Sequence, residues 1–426
     1  MRENFLKLAK LLFPICRSIT GNGLRKTLKI IKTIHLKNLK VIEVKSGTQV
    51  FDWKIPSEWN VKDAYILNKD KKKIVDFKKN NLHLVSYSNP LSEYIEKKKL
   101  LRNLHSLPHM PNAIPYVTSY YKKYWGFCLS HKQKKQIIRS KDKKYFVKID
   151  TNFNSKGSLT YGEFFIKGRS KKEILITTYI CHPSMANNEI SGPVISTFLA
   201  KEFKKRKNFY SLRFIFVPET IGAITYISKN FQNLKKNVIA GYNLTCIGDE
   251  RKYSYLPTKY GNTLSDKAAK KAFKELKIKF KKYSFLDRGS DERQFNSPGV
   301  DLPIGSIMRS KYETYKEYHT SLDNFNLVTE KGLKGSYKVV KKSIEILQNN
   351  RVPFSNIICE PQMSRRGLYP SLSNNKRSNF TKNLMSFLIY CDGKNDLINI
   401  SNYLGISFNK TKKIYDILIK NKIISV

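Results

Sequence analysis

The 426-residue sequence contains no CxxC pair, and its six cysteines (Cys16, Cys128, Cys181, Cys246, Cys359 and Cys391) are scattered. That excludes a cysteine-rich zinc ribbon and gives no sign of a disulfide framework, so a reducing compartment is expected. Long apolar runs are missing as well. Each is cut by Lys, Asn or Ser short of the roughly 20 residues a membrane-spanning helix needs. Residues 1–14 carry apolar side chains at helical spacing, with neither a long apolar stretch nor a small-residue cleavage site. They are read as a first helix and not as a secretory signal, and the protein is expected to be cytoplasmic with no membrane partner.

Acidic side chains are scarce: 33 Asp and Glu face 80 Lys and Arg, a formal net charge of +47. That excess invites a nucleic-acid reading. The distribution argues against it. Lysine outnumbers arginine 64 to 16 and is spread over the whole length among many Asn and Ile. A nucleic-acid surface would concentrate Arg and aromatic side chains on one element. A specific nucleic-acid partner is therefore not expected, although salt-dependent adhesion to polyanions is.

Hydrophobic residues make up 40% of the chain, enough for a substantial core, and the length suits two or three domains. Residues 3–33 read as helices around a Gly21-Asn22-Gly23 turn. From about 38 to 90 short strands follow (40–45, 63–67, 82–87), which look like an inserted β-rich unit. Between 172 and 350 strands alternate with helices: strands at 173–180, 212–217, 238–246 and 302–308, helices at 193–207, 220–231 and 267–277. Such alternation implies a largely parallel sheet covered on both faces. Its chemistry then lies in the loops after the carboxyl ends of the strands. A polar connector over 353–376 leads to helices at 380–390, 397–404 and 410–420, the spacing of a winged-helix module. The domains are thus expected at 1–36 with 110–350 (catalytic), 37–109 (β-rich insert) and 351–426 (linker and winged helix).

Only seven histidines are present, and two fall in edge loops. His182 follows directly on the first core strand, in Cys181-His-Pro-Ser-Met-Ala-Asn-Asn-Glu-Ile-Ser-Gly192. A lone histidine there is commonly structural, but side-chain oxygens close by are how zinc acquires mixed nitrogen and oxygen ligands. Glu219 ends the second core strand, in Val217-Pro-Glu-Thr220. It reads equally as a helix N-terminal carboxylate or as a general base for water on a metal. Asp287-Arg-Gly-Ser-Asp-Glu-Arg293 gathers charge before a strand. Tyr318-His-Thr-Ser-Leu-Asp323 places His319 beside a carboxylate.

With 12–23, 50–53, 114–120 and 125–130, these segments resemble a bacterial family of aminopeptidase-like proteins, a branch of the zinc aminopeptidase superfamily. The resemblance runs almost end to end. It implies a three-layer α/β/α zinc-peptidase-like sheet, a small β-rich insert and a C-terminal winged-helix domain. It also implies that His182 and His319 bind metal and that Glu219 is the catalytic base. Asn188 stands where relatives carry a ligating, sometimes bridging, aspartate. Thr220 stands where a second glutamate ligand is usual, and Thr245, with Asp249 a little beyond, where another aspartate is expected. The implied site is one zinc, and not two, held by His182, His319 and the oxygen of Asn188 or a nearby carboxylate. Glu189, Asp249, Asp291 and Glu292 are candidates to support the ligands or meet substrate.

Two readings follow. One is a zinc-dependent hydrolase of peptide or amide bonds, acting on a small peptide or an acylated amino sugar in surface-polysaccharide or modified-sugar metabolism. The other, motivated by Asn188 and Thr220, is a peptidase fold that has lost turnover and serves binding or regulation. A homo-oligomer is compatible with both.

Overall fold

The computed structural model describes residues 4–368 and 379–426. The last residues of the expected 353–376 connector lie outside that range. The chain forms two compact units, Met1–Thr263 with Phe280–Lys338, and Leu264–Lys279 with Val339–Val426.

The first unit is built on one eight-stranded mixed sheet. Its strands in chain order are β1 (Lys40–Lys45), β2 (Ser158–Ile166), β3 (Ser170–Tyr179), β4 (Tyr210–Val217), β5 (Val238–Leu244), β6 (Ser254–Leu256), β7 (Lys281–Lys282) and β8 (Ile304–Met308). Across the sheet they run β1-β2-β4-β3-β5-β8-β6-β7. The central β4-β3-β5-β8 set is parallel. Each of its strands is a near-continuous buried run such as Ser211–Val217, as expected where both faces are covered. The charges on these strands lie far from their carboxyl ends. Arg213 on β4 donates to Glu173 on β3 at 2.6 and 2.8 Å and to Glu163 on β2 at 2.7 Å.

Helix Ser191–Phe203 follows the β3 loop and starts against the sheet. A Cβ on Gly192 would lie 2.2 Å from the Leu244 carbonyl oxygen and 2.3 Å from Thr178 Oγ1. Only glycine lets the helix start approach β3 and β5 so closely, and this docking places the preceding 182–190 loop. Gly192→Ala is expected to cost about 3 kcal/mol or more, because backbone has to move. A urea unfolding midpoint equal to wild type would contradict that.

The insert differs from its expected 37–109 bounds. Strand 40–45 belongs to the main sheet, pairing antiparallel with β2. The four-stranded antiparallel insert sheet is instead ordered 73–76, 58–67, 144–154, 91–96. Strand Lys144–Asn154 is central in it, and its alternating burial is that of a strand wet on one face. The expected strand at 82–87 is a short 3-10 turn, Asn81–His83, with isolated bridges after it.

In the second unit the helices Asn379–Ile389, Leu397–Tyr403 and Phe408–Lys420 match the expected winged-helix spacing. Asp396 and Ser407 cap two of them by accepting from Asn399 N and Lys410 N. The closing strand Ile424–Ser425 pairs with Phe354–Ser355. Among the described residues no helix is long and apolar enough to cross a membrane.

Candidate active site

Four loops at the carboxyl edge of the central strands converge. After β3 comes His182, after β4 Glu219, and His319 and Asp291 arrive from the two later loops. Several backbones here are bent into positive φ: Ser184 at 38°, Thr220 at 62°, Cys246 at 47° and His319 at 54°. A β-branched threonine there is strained, and such strain gathers at functional sites. Thr220 is held by Asp291 Oδ1, which accepts from its N–H at 2.8 Å, and by Arg293 Nη2, which donates to its hydroxyl at 2.7 Å.

The two imidazole centres lie 5.4 Å apart. Two rings bound through nitrogen to one tetrahedral zinc, at about 2.1 Å each, would bring their centres to roughly 5 Å. The rings are therefore close enough to share an ion. His182 Nδ1 is 2.9 Å from Glu189 Oε2, and its Nε2 is 3.6 Å from Glu219 Oε2. Burial alone would lower the His182 pKa, but the Glu189 carboxylate overrides it and raises it. His319 has no such partner. Burial, with His182 as neighbour, drops its pKa to about 3. Its Nε2 is buried without a hydrogen bond, and so is Asp291 Oδ2.

The carboxyls complement this. Burial raises Glu219, against the pull of His182. Burial and the neighbouring Glu219 raise Asp291 well above the usual carboxylate range. Unpaired imidazole nitrogen beside carboxyls that resist ionisation is the electrostatics of a pocket made for a cation. The donor types, two imidazoles and buried carboxyls, are those zinc takes, although among the described residues no carboxylate joins His182 and His319 in a set of ligand atoms all within 4.8 Å of one another.

Asn188 does not fit the expected ligand role as it stands. Its Oδ1 accepts from the Tyr179 hydroxyl at 2.6 Å and from Cys246 Sγ at 3.5 Å. Tyr179 also shares a 2.5 Å hydrogen bond with Thr245. Two of the neutral residues that stand where carboxylates were expected, Asn188 and Thr245, are thus linked through Tyr179. Glu189 forms with Cys181 and His182 a buried group whose ligand atoms lie within 4.8 Å; its Oε2 is taken by His182, and Arg17 Nε is 3.5 Å from its Oε1, which has no hydrogen bond. Burial holds the Cys181 thiol far up and protonated, so this trio reads as support for His182.

Asp249 and Glu292 do not reach substrate, because their lone pairs are spent. Asp249 accepts from Asn187 Nδ2, Arg251 N, Ser310 N and Ser310 Oγ. Glu292 accepts from Gly289 N, Ser290 N, Asn243 Nδ2, Ser306 Oγ and the Tyr312 hydroxyl. Both tie loops together beneath the site.

Three contributors had no role assigned in the sequence reading. Tyr116 sits between the imidazoles, 5.2 Å from His182 and 5.3 Å from His319, and its N–H donates to the His319 carbonyl at 2.8 Å. Asp323 accepts from Asn187 N and Asn188 N at 2.6 and 2.9 Å, fixing the turn that carries Glu189. Arg17 is the third. A cleft of about 390 Å³ opens over Glu219 and the two histidines, walled by Trp53, Tyr116, Tyr120 and Tyr121.

The comparisons meet this geometry. The model described as a domain of unknown function (DUF4910) matches residues 6–350, and a winged helix-turn-helix model matches 351–426. The chain belongs to the DUF4910 family. A Clostridium acetobutylicum protein, provisionally named for polysaccharide biosynthesis with an aminopeptidase-like domain, is 44% identical over 417 residues, 97% of this chain and 94% of that one. A crystal structure from the same organism, named provisionally as a peptidase, superposes with a TM-score of 0.90 at 43% identity, covering 99% of this chain and 95% of that one. A zinc aminopeptidase from Bacillus subtilis shares the fold: TM-score 0.59 at 12% identity, over 80% of this chain and 93% of that one. In this DUF4910 member the aminopeptidase-like sheet therefore carries the edge loops, and residues 116–121 contribute the tyrosine wall.

Proposed function

We propose that the protein is a single-zinc hydrolase of peptide or amide bonds. The observation that carries the reading is the His182–His319 pair, close enough to share an ion, with one buried nitrogen unpartnered and Glu219 alongside. His182 and His319 would hold the ion, and Asp291 Oδ2, buried without a hydrogen bond, would be a supporting oxygen. Zinc, when bound, polarises the scissile carbonyl and lowers the pKa of its water.

The chain does the rest. Glu189 accepts from His182 Nδ1, which leaves the Nε2 lone pair facing the cleft. Glu219 takes a proton from the attacking water on its carboxylate and returns it to the departing nitrogen. The aromatic wall limits water. The closed Tyr179–Asn188–Thr245 bonding supports one ion over two. The name of the 44% identical relative, which gives polysaccharide biosynthesis and an aminopeptidase-like domain, supports an acylated amino sugar as the amide cleaved.

Elemental analysis after zinc loading and desalting tests this. About one zinc per wild-type chain is expected, and none retained by His319→Ala at equal folding. A wild-type protein that retains no zinc sinks the hydrolase and favours the binding or regulatory reading, to which Asn188 and Thr220 already point.

A further inference from the structure

We propose that the cleft continues past Arg293 into a groove that binds an anionic sugar, the polar body of the substrate. The substrate assignment rests on the hydrolase reading; the binding does not. A second hollow of about 860 Å³ lies beside the cleft, and Arg293 borders both. No Asp or Glu lines it, whereas Lys282, Arg288 and Arg293 do. Among the described residues no carboxylate lies within ion-pair distance of those three. The charge of Arg293 also bears on the buried Glu219 and Asp291, without a direct ion pair to either.

Flat apolar faces alternate with these cations. Tyr260 is 71% exposed, and the Arg288 guanidinium lies 5.3 Å over the Phe285 ring. An exposed aromatic face gains by covering the apolar face of a ring, while a neighbouring guanidinium takes a carboxylate or phosphate through paired donors. Gln294 adds an amide for hydroxyls. A free peptide amine would meet repulsion here. Arg293 is also anchored: its bond to Thr220 fixes a positive charge one residue from Glu219. It is a specificity-determining residue and not a proton carrier.

Isothermal titration of the whole protein checks the groove without turnover. The probes are uridine diphosphate N-acetylglucosamine and a glucuronate-containing disaccharide, against neutral N-acetylglucosamine and uridine. At least one anionic probe should bind about 10-fold or more tightly than its neutral control. Binding should weaken about 10-fold in Arg293→Gln and in Arg288→Gln, and should fall with added salt. Binding of only the nucleotide or only the glucuronate supports the groove and names its anion. Equal binding of anionic and neutral probes, or unchanged affinity in both variants, overturns it. Tight anion binding by a protein without hydrolytic activity would instead sink the hydrolase and leave the groove standing.

Discussion

Glu219→Gln is expected to lower kcat by about 10²–10⁴-fold, the range lost when a positioned proton carrier is removed. Zinc should stay bound at wild-type stoichiometry. The substitution keeps size and hydrogen-bonding shape but removes the carboxylate that lines the cleft beside His182. Burial raises its pKa, so the carboxyl is a better proton acceptor than an exposed glutamate once ionised. KM should change little, since the carboxylate acts on water and on the leaving nitrogen, and kcat/KM should fall with kcat. The measurement is steady-state hydrolysis of aminoacyl p-nitroanilides and acylated amino sugars, with metal content read on the same samples. Wild-type turnover in the zinc-loaded variant removes Glu219 from the mechanism. Loss of zinc together with activity would make it a ligand instead.

Much of this was legible in the residues, and physics explains what was not. The buried runs of β3, β4, β5 and β8 have the continuous apolar character of strands covered on both faces, so the sheet and its active edge followed from pattern alone. His182 and Glu219 were legible because they end such strands. The partner of a strand is another matter. Lys40–Lys45 joins the main sheet, and not the insert, because its partner β2 lies more than 100 residues away in sequence. The burial of Tyr145, Val147, Ile149 and Thr151 alternates with wetter neighbours, a half-wet strand pattern that was not read from the sequence.

Side-chain direction was the harder quantity. Asn188 was placed by its position in a loop, yet Tyr179, nine residues earlier, claims its oxygen. Glu292 stands in a run of charges that looks reactive, and five donors occupy its oxygens. Arg17 carries no local signal at all. It lies in an N-terminal loop 165 residues from the backbone it bonds.

Arg17→Met is the second large effect expected, about 3–5 kcal/mol of lost stability. The guanidinium is fully buried, bonds the carbonyls of His182 and Leu12 at 3.0 and 2.7 Å, and lies 3.5 Å from Glu189. Burial lowers its pKa, and the Glu189 charge opposes that. Removing one partner leaves the other charge without compensation in a dry interior, which costs more than the pair contributed. The same change loosens the carboxylate that orients His182, so zinc affinity should fall about 10–100-fold. A double variant, Arg17→Met with Glu189→Gln, separates the two effects. With no orphaned charge most of the stability should return in urea unfolding, while zinc affinity should stay low because His182 still lacks its carboxylate. Arg17→Met unfolding within 1 kcal/mol of wild type, a limit well below the roughly 3 kcal/mol expected, would show that the Arg17–Glu189 contact is not what holds this edge of the sheet together.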